Sequence, residues 1–279
     1  DVPTPPNLYS QTLMNVGKMR NQGIEIAINA IPVQTKDFQW KTVLTASHNQ
    51  NKLVSLSNEL YETANEHDLA YLGEPISIST QRMEVGKSLG QFYGMKSVGV
   101  SENGLWLIEN VETGEIEEFT DKMLSNDTYR QYLGNALPKV YMGWNHNFTY
   151  KNFDLSMQFT GQFGFKILNA QRAFYENNSI AYNRLKSAAD YRPAINLDGT
   201  PYIDPETGKQ KMVRLSSSMQ QGFWSDHLED GDYLKLANVT LGYTLPSLGG
   251  LDKYIKNIRV YASATNLFCL TGYSGIDPE

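Results

Sequence analysis

Cysteine and histidine are scarce in this chain of 279 residues, which has a single cysteine, Cys269, and four histidines. One cysteine cannot form an internal disulfide or a thiolate metal cluster. The histidines show no ligand spacing with one another or with the cysteine, so the sequence predicts no zinc or other metal site. No acid–base pair can be assigned either, and we expect neither catalytic residues nor a cofactor.

Long apolar runs and basic runs are also missing. No stretch approaches about 18 consecutive apolar residues, which excludes helical membrane spans. The net charge is −6 without any run rich in Lys or Arg, which argues against a nucleic-acid-binding surface. Strands of a membrane barrel average out in hydropathy, so the missing apolar run does not exclude such a barrel.

The segment 140–165 has the pattern of a β-hairpin with two chemically distinct faces. Antiparallel pairing about a two-residue turn at Lys151 and Asn152 sets apolar and aromatic side chains opposite one another. These pairs are Tyr150 with Phe153, Phe148 with Leu155, His146 with Met157, Trp144 with Phe159 and Val140 with Phe163. The alternate residues share the other face and are polar: Thr149 with Asp154, Asn147 with Ser156, Asn145 with Gln158, Gly143 with Thr160 and Tyr141 with Gln162.

The polar face decides between two kinds of β-protein. A soluble sandwich usually carries Lys, Glu and Arg on its outer face, whereas Asp154 is the single charged residue here. About twelve residues at about 3.3 Å each, tilted by about 40°, rise about 30 Å, the thickness of a bilayer's hydrocarbon core. We therefore interpret the hairpin as two spans of a membrane barrel, with a soluble β-domain as the alternative. His146 is an unexpected polar residue on the lipid-facing row.

Further segments alternate in the same way and predict strands at Gly23–Ala30, Phe38–Asn49, Tyr233–Leu245 and Ile258–Thr265. In the third, Ala237 and Val239 share one face, and Leu236 and Asn238 share the other. Short connections on one side and long ones on the other are typical of outer-membrane barrels.

Two long loops, about 50–139 and 166–230, separate these strands, and we expect both on the cell surface. Strand parity favours no membrane span in the first loop, with local β-structure above the membrane. The second contains a helix-compatible stretch from Leu168 to Tyr191 and tight turns at 198–199 and 205–208.

Several segments closely resemble the C-terminal barrel region of the SusC/RagA family of TonB-dependent outer-membrane transporters. The most specific are DGDYLKLANVTLGYTLP, Asp230 to Pro246, and IRVYASATNLFCLTGYSGIDPE, Ile258 to Glu279. Further resemblance lies, in family order, at Asn15 to Ala30, Leu89 to Val100 and Leu133 to Asn169. Together these segments span most of residues 1–279.

The resemblance implies an all-β fold that is part of a large antiparallel transmembrane β-barrel with long extracellular loops. In the family the barrel has 22 strands and an N-terminal plug. The plug, the TonB box, the early strands and a final strand have no counterpart here. We therefore expect a fragment of a polypeptide several times longer, in agreement with the proline-rich opening at Asp1 to Ser10, which lacks the features of a signal peptide.

The resemblance also implies function and partners. It predicts TonB-dependent active import of a large nutrient, an oligosaccharide or alternatively a peptide, across the outer membrane of a Gram-negative bacterium. The partners would be a SusD-like surface lipoprotein, the TonB complex through the missing N-terminal region, and the lipid bilayer around a multi-pass barrel. A dimer of transporter–lipoprotein pairs is compatible with it. Such a protein is not an enzyme.

Aromatic residues in the long loops are the candidates for contact with a substrate or partner: Trp106, Tyr175 and Trp224. Flat aromatic faces bind sugar rings or peptides, and the alternative is that these rings pack the loops together. Two rival functions remain at this stage. One is a soluble β-domain that binds glycans, and the other is a surface hydrolase with carboxylates in its loops, although the acidic run Glu109 to Asp121 is more typical of a solvated loop.

Overall fold

The computed structural model describes residues 17–57, 64–179, 183–247, 249–255 and 257–279. The predicted opening loop, Asp1 to Ser10, lies outside them. In chain order the strands are β1 Lys18–Gln34, β2 Phe38–Ser55, β3 Glu66–Gly73, β4 Ile76–Glu84, β5 Gln91–Met95, β6 Ser97–Val100, β7 Trp106–Glu109, β8 Ile116–Glu118, β9 Arg130–Asn135, β10 Val140–Tyr150, β11 Phe153–Phe163, β12 Lys166–Leu168, β13 Arg192–Pro193, β14 Met212–Val213, β15 Leu228–Asp230, β16 Tyr233–Thr244 and β17 Arg259–Thr271. The helix α1 is Ala170–Tyr175, and 3₁₀ turns lie at Asp121–Ser125, Asp127–Tyr129, Lys186–Ala189, Ser225–His227 and Gly249–Lys253.

Six long strands form one antiparallel sheet in the order β1-β2-β10-β11-β16-β17. The β10–β11 hairpin turns at Lys151 and Asn152, and all ten predicted cross-strand pairs are present, from Val140 opposite Phe163 to Tyr150 opposite Phe153. The predicted register is therefore confirmed. Among the described residues no helix is both long enough and apolar enough to cross a membrane.

The register in which the strands pair continues the pattern of one apolar and one polar face across the whole sheet. One row of directly opposed residues is apolar: Ile28, Leu44, Trp144, Phe159, Leu236 and Phe268. The next row, on the opposite face, contains mainly amides and a hydroxyl: Asn29, Val43, Asn145, Gln158, Asn238 and Thr265. Because side chains alternate between the faces of a strand, one face of the sheet is apolar and the other is polar over all six strands.

A β-bulge near the N-terminal end of β16 makes the faces there differ from the predicted ones. Gln158 lies opposite Asn238, but Phe159 lies opposite Leu236, so Ala237 is an extra residue. Leu236 therefore belongs to the apolar face and not, as simple alternation predicted, to the polar face with Asn238. A bulge places two residues opposite one, so every residue beyond it lies on the opposite face from the one that simple alternation predicts. Lys235 is consequently on the polar face, opposite Thr160.

The strand ends also differ from the predicted ones. Strand β1 begins at Lys18 and β2 continues to Ser55, so this hairpin extends well beyond Gly23 and Asn49. Strand β17 runs to Thr271. Polar residues such as Asn51 stay in the strand because the backbone of the partner strand satisfies their hydrogen bonds, whatever their hydropathy.

The chain makes two long excursions at one end of the sheet, residues 56–139 between β2 and β10, and residues 164–232 between β11 and β16. The described part of the first excursion adds no strand to the six-stranded sheet, as predicted, and forms the sheets β3-β4-β5-β9 and β6-β7-β8 instead. The stretch Leu168 to Tyr191, which the sequence indicated as compatible with a helix, is not helical over most of its described residues, because α1 has only six residues and ends at Tyr175; residues 180–182 lie outside the described part. The described residues after Tyr175 make hydrogen bonds within the second excursion instead, such as those from the Asn178 amide to the Leu215 carbonyl and from the Leu185 nitrogen to the Tyr175 carbonyl.

Both excursions bury side chains in one shared hydrophobic core, which we call the loop core: Met95, Val100, Trp106, Ile108, Phe119, Met123, Ala194, Val213, Leu215, Met219 and Trp224. The first six come from the first excursion and the others from the second. The excursions therefore fold as one body above the end of the sheet.

Candidate functional site

The polar face of the large sheet is the most extended candidate surface. Its middle carries amides and hydroxyls, including Asn145, Gln158 and Asn238, and Thr240 lies 2.9 Å from Ser263 between their hydroxyl oxygens. Such groups bind neutral polar ligands through hydrogen bonds without attracting counter-ions.

Charges on this face lie toward its ends. At the end with the short turns, the Arg259 guanidinium donates to both carboxylate oxygens of Asp154, at 3.0 and 2.5 Å. Gly242 makes room for this pair, because a Cβ there would lie 2.5 Å from both the Arg259 Nη2 and an Asp154 oxygen. At the other end the buried Lys235 ammonium donates to the carboxylates of Asp277 and Glu279.

The apolar face accommodates His146 through specific contacts that the sequence pattern did not reveal. The Trp40 Nε1–H donates to the His146 Nδ1 at 3.1 Å, and the rings of Trp144 and Phe148 lie 4.4 and 5.9 Å away. The imidazole is only 6 % exposed. A neutral histidine that is hydrogen-bonded and covered by aromatic rings presents little polar surface to a surrounding apolar phase.

A cavity of about 610 Å³ lies where the excursions leave the sheet. Its lining is rich in side-chain amides, namely Asn49, Gln50, Asn51, Gln91 and Asn135. Asn135 is already occupied by hydrogen bonds to Ser88 and the backbone, whereas the Asn49 amide has no hydrogen-bond partner among the described residues. The size and the mixture of donors and acceptors suit a segment of a polar oligomer.

The three aromatic candidates occupy different environments. Trp106 and Trp224 are 3 % and 2 % exposed and lie in the loop core, with their ring centroids 6.4 Å apart. Their positions correspond to the packing alternative, because neither indole has surface to offer a ligand in this conformation. Tyr175 ends α1 and is 46 % exposed, so it is available for contact.

An ion-pair network fixes the second excursion beside the loop core. The nearly buried Glu176 carboxylate accepts hydrogen bonds from Arg172 and Arg192. Arg172 also donates to Asp226 and Glu229, and the Arg192 guanidinium lies over the Trp106 ring, 5.0 Å from its centroid. Each buried charge has a partner of opposite sign, so the network holds α1 and the approach to β15 in one geometry.

The network extends to the segment after β17. Ser274 donates to Glu229 from its backbone nitrogen and from its hydroxyl, both at 2.7 Å. Burial raises the pKa of the Glu229 carboxyl, but these bonds, together with those from Asn169 and Arg172, outweigh it and hold the pKa below its usual value. Residues 272–279 end the segment that resembles the SusC/RagA family. They are therefore attached to the second excursion through Ser274 and to β16 through Lys235.

His227 makes the excursions sensitive to mild acid. Burial lowers the pKa of His227 to about 3 from an ordinary value of 6.5; Asp226 opposes this shift, and Arg172 and Arg192 add to it. As the pH falls below 6.5 the unfolded chain binds a proton that the folded chain excludes, so stability is lost between pH 6.5 and about 3. The slope approaches about 1.4 kcal/mol per pH unit.

We expect limited proteolysis of the excursions in the full-length protein to accelerate between pH 7.5 and pH 5. A His227→Gln variant should be cut faster at pH 7.5 but with a shallower dependence on pH, because its side chain cannot titrate. Burial raises the pKa of carboxylates such as Asp68, but Arg82 and Arg130 hold it low. Such groups therefore change the stability only below about pH 4. An unchanged slope in the variant would show that another group is responsible.

Among the described residues, no group of three or more His, Cys, Asp or Glu side chains is arranged to hold a metal ion.

Comparison with known proteins finds similar chains among TonB-dependent receptors. The chain is 29% identical over 97% of its length to "TonB-dependent receptor P3" of Formosa agariphila and 27% identical over 100% of its length to "TonB-dependent receptor SusC" of Bacteroides thetaiotaomicron. It covers 26% of each, so it spans about a quarter of the curated relatives it matches. The resemblance to SusC/RagA-type transporters is confirmed. No protein-family model matches the chain.

Solved structures confirm the fold. The chain superposes on "Structure of the RagAB peptide transporter" with a TM-score of 0.74 at 22% identity, covering 95% of this chain and 27% of that one. The "open-open" state of the RagAB peptide importer gives a TM-score of 0.70. The six-stranded sheet and its excursions thus have the fold of part of a SusC/RagA-type barrel. The relatives are named as receptors and transporters, and not as enzymes, in agreement with the expected lack of covalent chemistry.

Proposed function

We propose that this chain forms part of the wall and surface loops of a TonB-dependent importer in the outer membrane of a Gram-negative bacterium. The observation that carries the proposal is the six-stranded sheet with one apolar and one polar face, from which both long excursions leave at the same end. An apolar face of this extent suits lipid, and the polar face suits a watery or plug-filled lumen. TonB would act through a region outside these residues.

The topology follows from the short turns. They lie together at one end of the sheet, where the Lys151 nitrogen donates to the Asp37 carbonyl and the Thr244 nitrogen donates to the Asn152 carbonyl. We place this end in the periplasm and the excursions on the cell surface, since long loops of outer-membrane barrels are extracellular.

Single cysteines at Thr113, Glu206 and Lys151 in a Cys269→Ser full-length background test this topology. A membrane-impermeant maleimide applied to whole cells should label the first two positions, which are exposed in the excursions, and leave position 151 unlabelled. Labelling at 151 with protection of both excursion sites would invert the proposed orientation.

We propose an oligosaccharide as the cargo. The amides and hydroxyls in the middle of the polar face, together with the amides of the cavity lining, offer hydrogen bonds of the kind that sugar hydroxyls make. A peptide is the second candidate, because the amides can bind peptide groups equally well and the superposed RagAB structures are described as those of a peptide importer.

Titration of the full-length transporter with oligosaccharides and with peptides of similar size distinguishes the two. We expect saccharide binding that weakens about five- to tenfold in Asn49→Ala, since a single hydrogen bond contributes about 1 kcal/mol. Asn49 has no partner in the described structure, so the substitution should leave the fold intact. Binding of peptides alone would select the second candidate.

A SusD-like surface lipoprotein is the proposed partner, and the excursions are the segments long enough to reach it. Tyr175 is the candidate contact that lies on their surface, and apolar side chains of the arm 191–214 are exposed nearby in sequence, including Tyr191, Leu197 and Met212. A Tyr175→Ala variant that co-purifies with its lipoprotein as well as the wild type, and binds cargo equally well, would remove Tyr175 from the proposal.

A further inference from the structure

Three buried side-chain nitrogens of the excursions have no hydrogen-bond partner among the described residues. One is the Arg130 Nε in β9, and the other two belong to residues that line one cavity. These two are the Trp106 Nε1 in β7 and the His227 Nδ1 just before β15. Their side chains are 3 % and 5 % exposed, so bulk water does not satisfy them. A buried donor or acceptor without a partner destabilises the fold, and folded proteins seldom leave two in one place.

Both residues line the same small cavity. Its volume is about 10 Å³, and its lining includes the ion-pair residues Glu176, Arg192 and Asp226. This volume is about that of one water-sized sphere, the lower limit for a bound water molecule. A sugar ring or a peptide group cannot enter, which also separates this cavity from any site for cargo.

The chemistry of the two atoms is complementary to one water molecule. The indole nitrogen of tryptophan only donates, and a neutral imidazole has one nitrogen that only accepts. The two atoms lie on different excursions, Trp106 on the first and His227 on the second. We propose that this cavity binds one structural water molecule, which accepts a hydrogen bond from the Trp106 Nε1–H and donates one to the His227 Nδ1.

The water molecule joins the two excursions between the loop core and the ion-pair network. Direct polar links between them already exist, such as the partly buried hydrogen bond that the Ser97 nitrogen donates to the Ser225 hydroxyl at 3.0 Å. The buried water adds a link that depends on both rings, so removal of either ring nitrogen releases it.

A structure of the full-length protein at about 2 Å or better tests the proposal directly. We expect a density peak within hydrogen-bond distance of both the Trp106 Nε1 and the His227 Nδ1. A cavity without a peak, or a peak that reaches only one of the two atoms, would overturn the proposal.

The variants Trp106→Phe, His227→Phe and their combination give a second, independent measurement. Each single substitution should accelerate proteolysis of the excursions severalfold, and the double variant should be little worse than the more sensitive single one. This follows because loss of one partner already releases the water. Fold-changes that multiply in the double variant would show that the two rings act separately and would contradict a shared water molecule.

Discussion

Replacing Phe159 with arginine is expected to lower the free energy of unfolding of the full-length barrel by about 2 to 4 kcal/mol, the cost of an arginine on the lipid face near mid-bilayer. Phe159 lies on the apolar face between Trp144 and Leu236, with its ring 6.2 Å from that of Trp144. Its neighbour Gln158 is exposed on the opposite face. An arginine at 158 keeps its charge hydrated there, so Gln158→Arg should leave assembly unchanged, although it could alter transport.

The pair Phe159→Arg and Gln158→Arg is its own matched control, because the two sites are adjacent and receive the same side chain. Denaturant midpoints or heat-modifiable gel mobility of the full-length variants in detergent and in lipid give the comparison. Equal tolerance of both substitutions would remove the assignment of the lipid face, and a large loss from Gln158→Arg alone would mean that the faces are reversed.

Replacing Gly104 with alanine is expected to lower the free energy of local opening of the excursions by about 2 to 4 kcal/mol. Gly104 has a φ of +74°, and a Cβ there would lie 2.2 Å from the backbone oxygen of Arg214. Its own carbonyl accepts a hydrogen bond from the Ser216 nitrogen at 2.8 Å, which joins the first excursion to the second. The backbone must move to admit the methyl group. Both the strained φ and the loss of the hydrogen bond from Ser216 then contribute to the destabilisation.

Gly114 provides the control, since it has the same φ of +74° but nothing within 4 Å of the position that a Cβ would take. Gly114→Ala should therefore cost only the conformational part, about 1 kcal/mol. Hydrogen exchange of the full-length proteins should show faster exchange around Ser216 in Gly104→Ala than in Gly114→Ala. Similar exchange in the two variants would mean that the contact with Arg214 is not rigid.

The hairpin 140–165 could be predicted residue by residue because three local signals agree there. Apolar and polar side chains alternate without interruption from Phe153 to Phe159, and a short turn of Lys151 and Asn152 fixes the register. Lys151 adopts a positive φ of 50°, as such tight turns require. When the period and the turn agree, a single sequence determines which side chain faces which.

The alternation failed where the backbone departs from a regular strand. The bulge at Ala237 leaves no trace in the pattern, because Leu236 and Ala237 are both acceptable on an apolar face. The first residues of β1 and the last residues of β2 are mostly polar and resemble a loop in sequence, although they remain paired. Backbone pairing with a neighbouring strand, and not hydropathy, decides structure at these positions.

The excursions were the least predictable part, because their structure comes from contacts distant in sequence. Trp106 and Trp224 are 118 positions apart and pack together, and nothing local distinguishes a buried indole from an exposed one. Likewise, the burial of the Trp106 and His227 nitrogens without hydrogen-bond partners can be recognised only in the folded structure of both excursions. Sequence alone therefore predicted the six-stranded sheet better than the excursions.

A spin-label accessibility scan along positions 140–163 of the full-length protein in lipid tests the assignment of the two faces most directly. Labels at Trp144, Phe148, Leu155 and Phe159 should collide with oxygen, which concentrates in hydrocarbon. Labels at Asn145, Asn147, Ser156 and Gln158 should not. The predicted result is an alternation with a period of two residues along both strands; a scan without alternation, or one in which the second set is the lipid-exposed one, would contradict it.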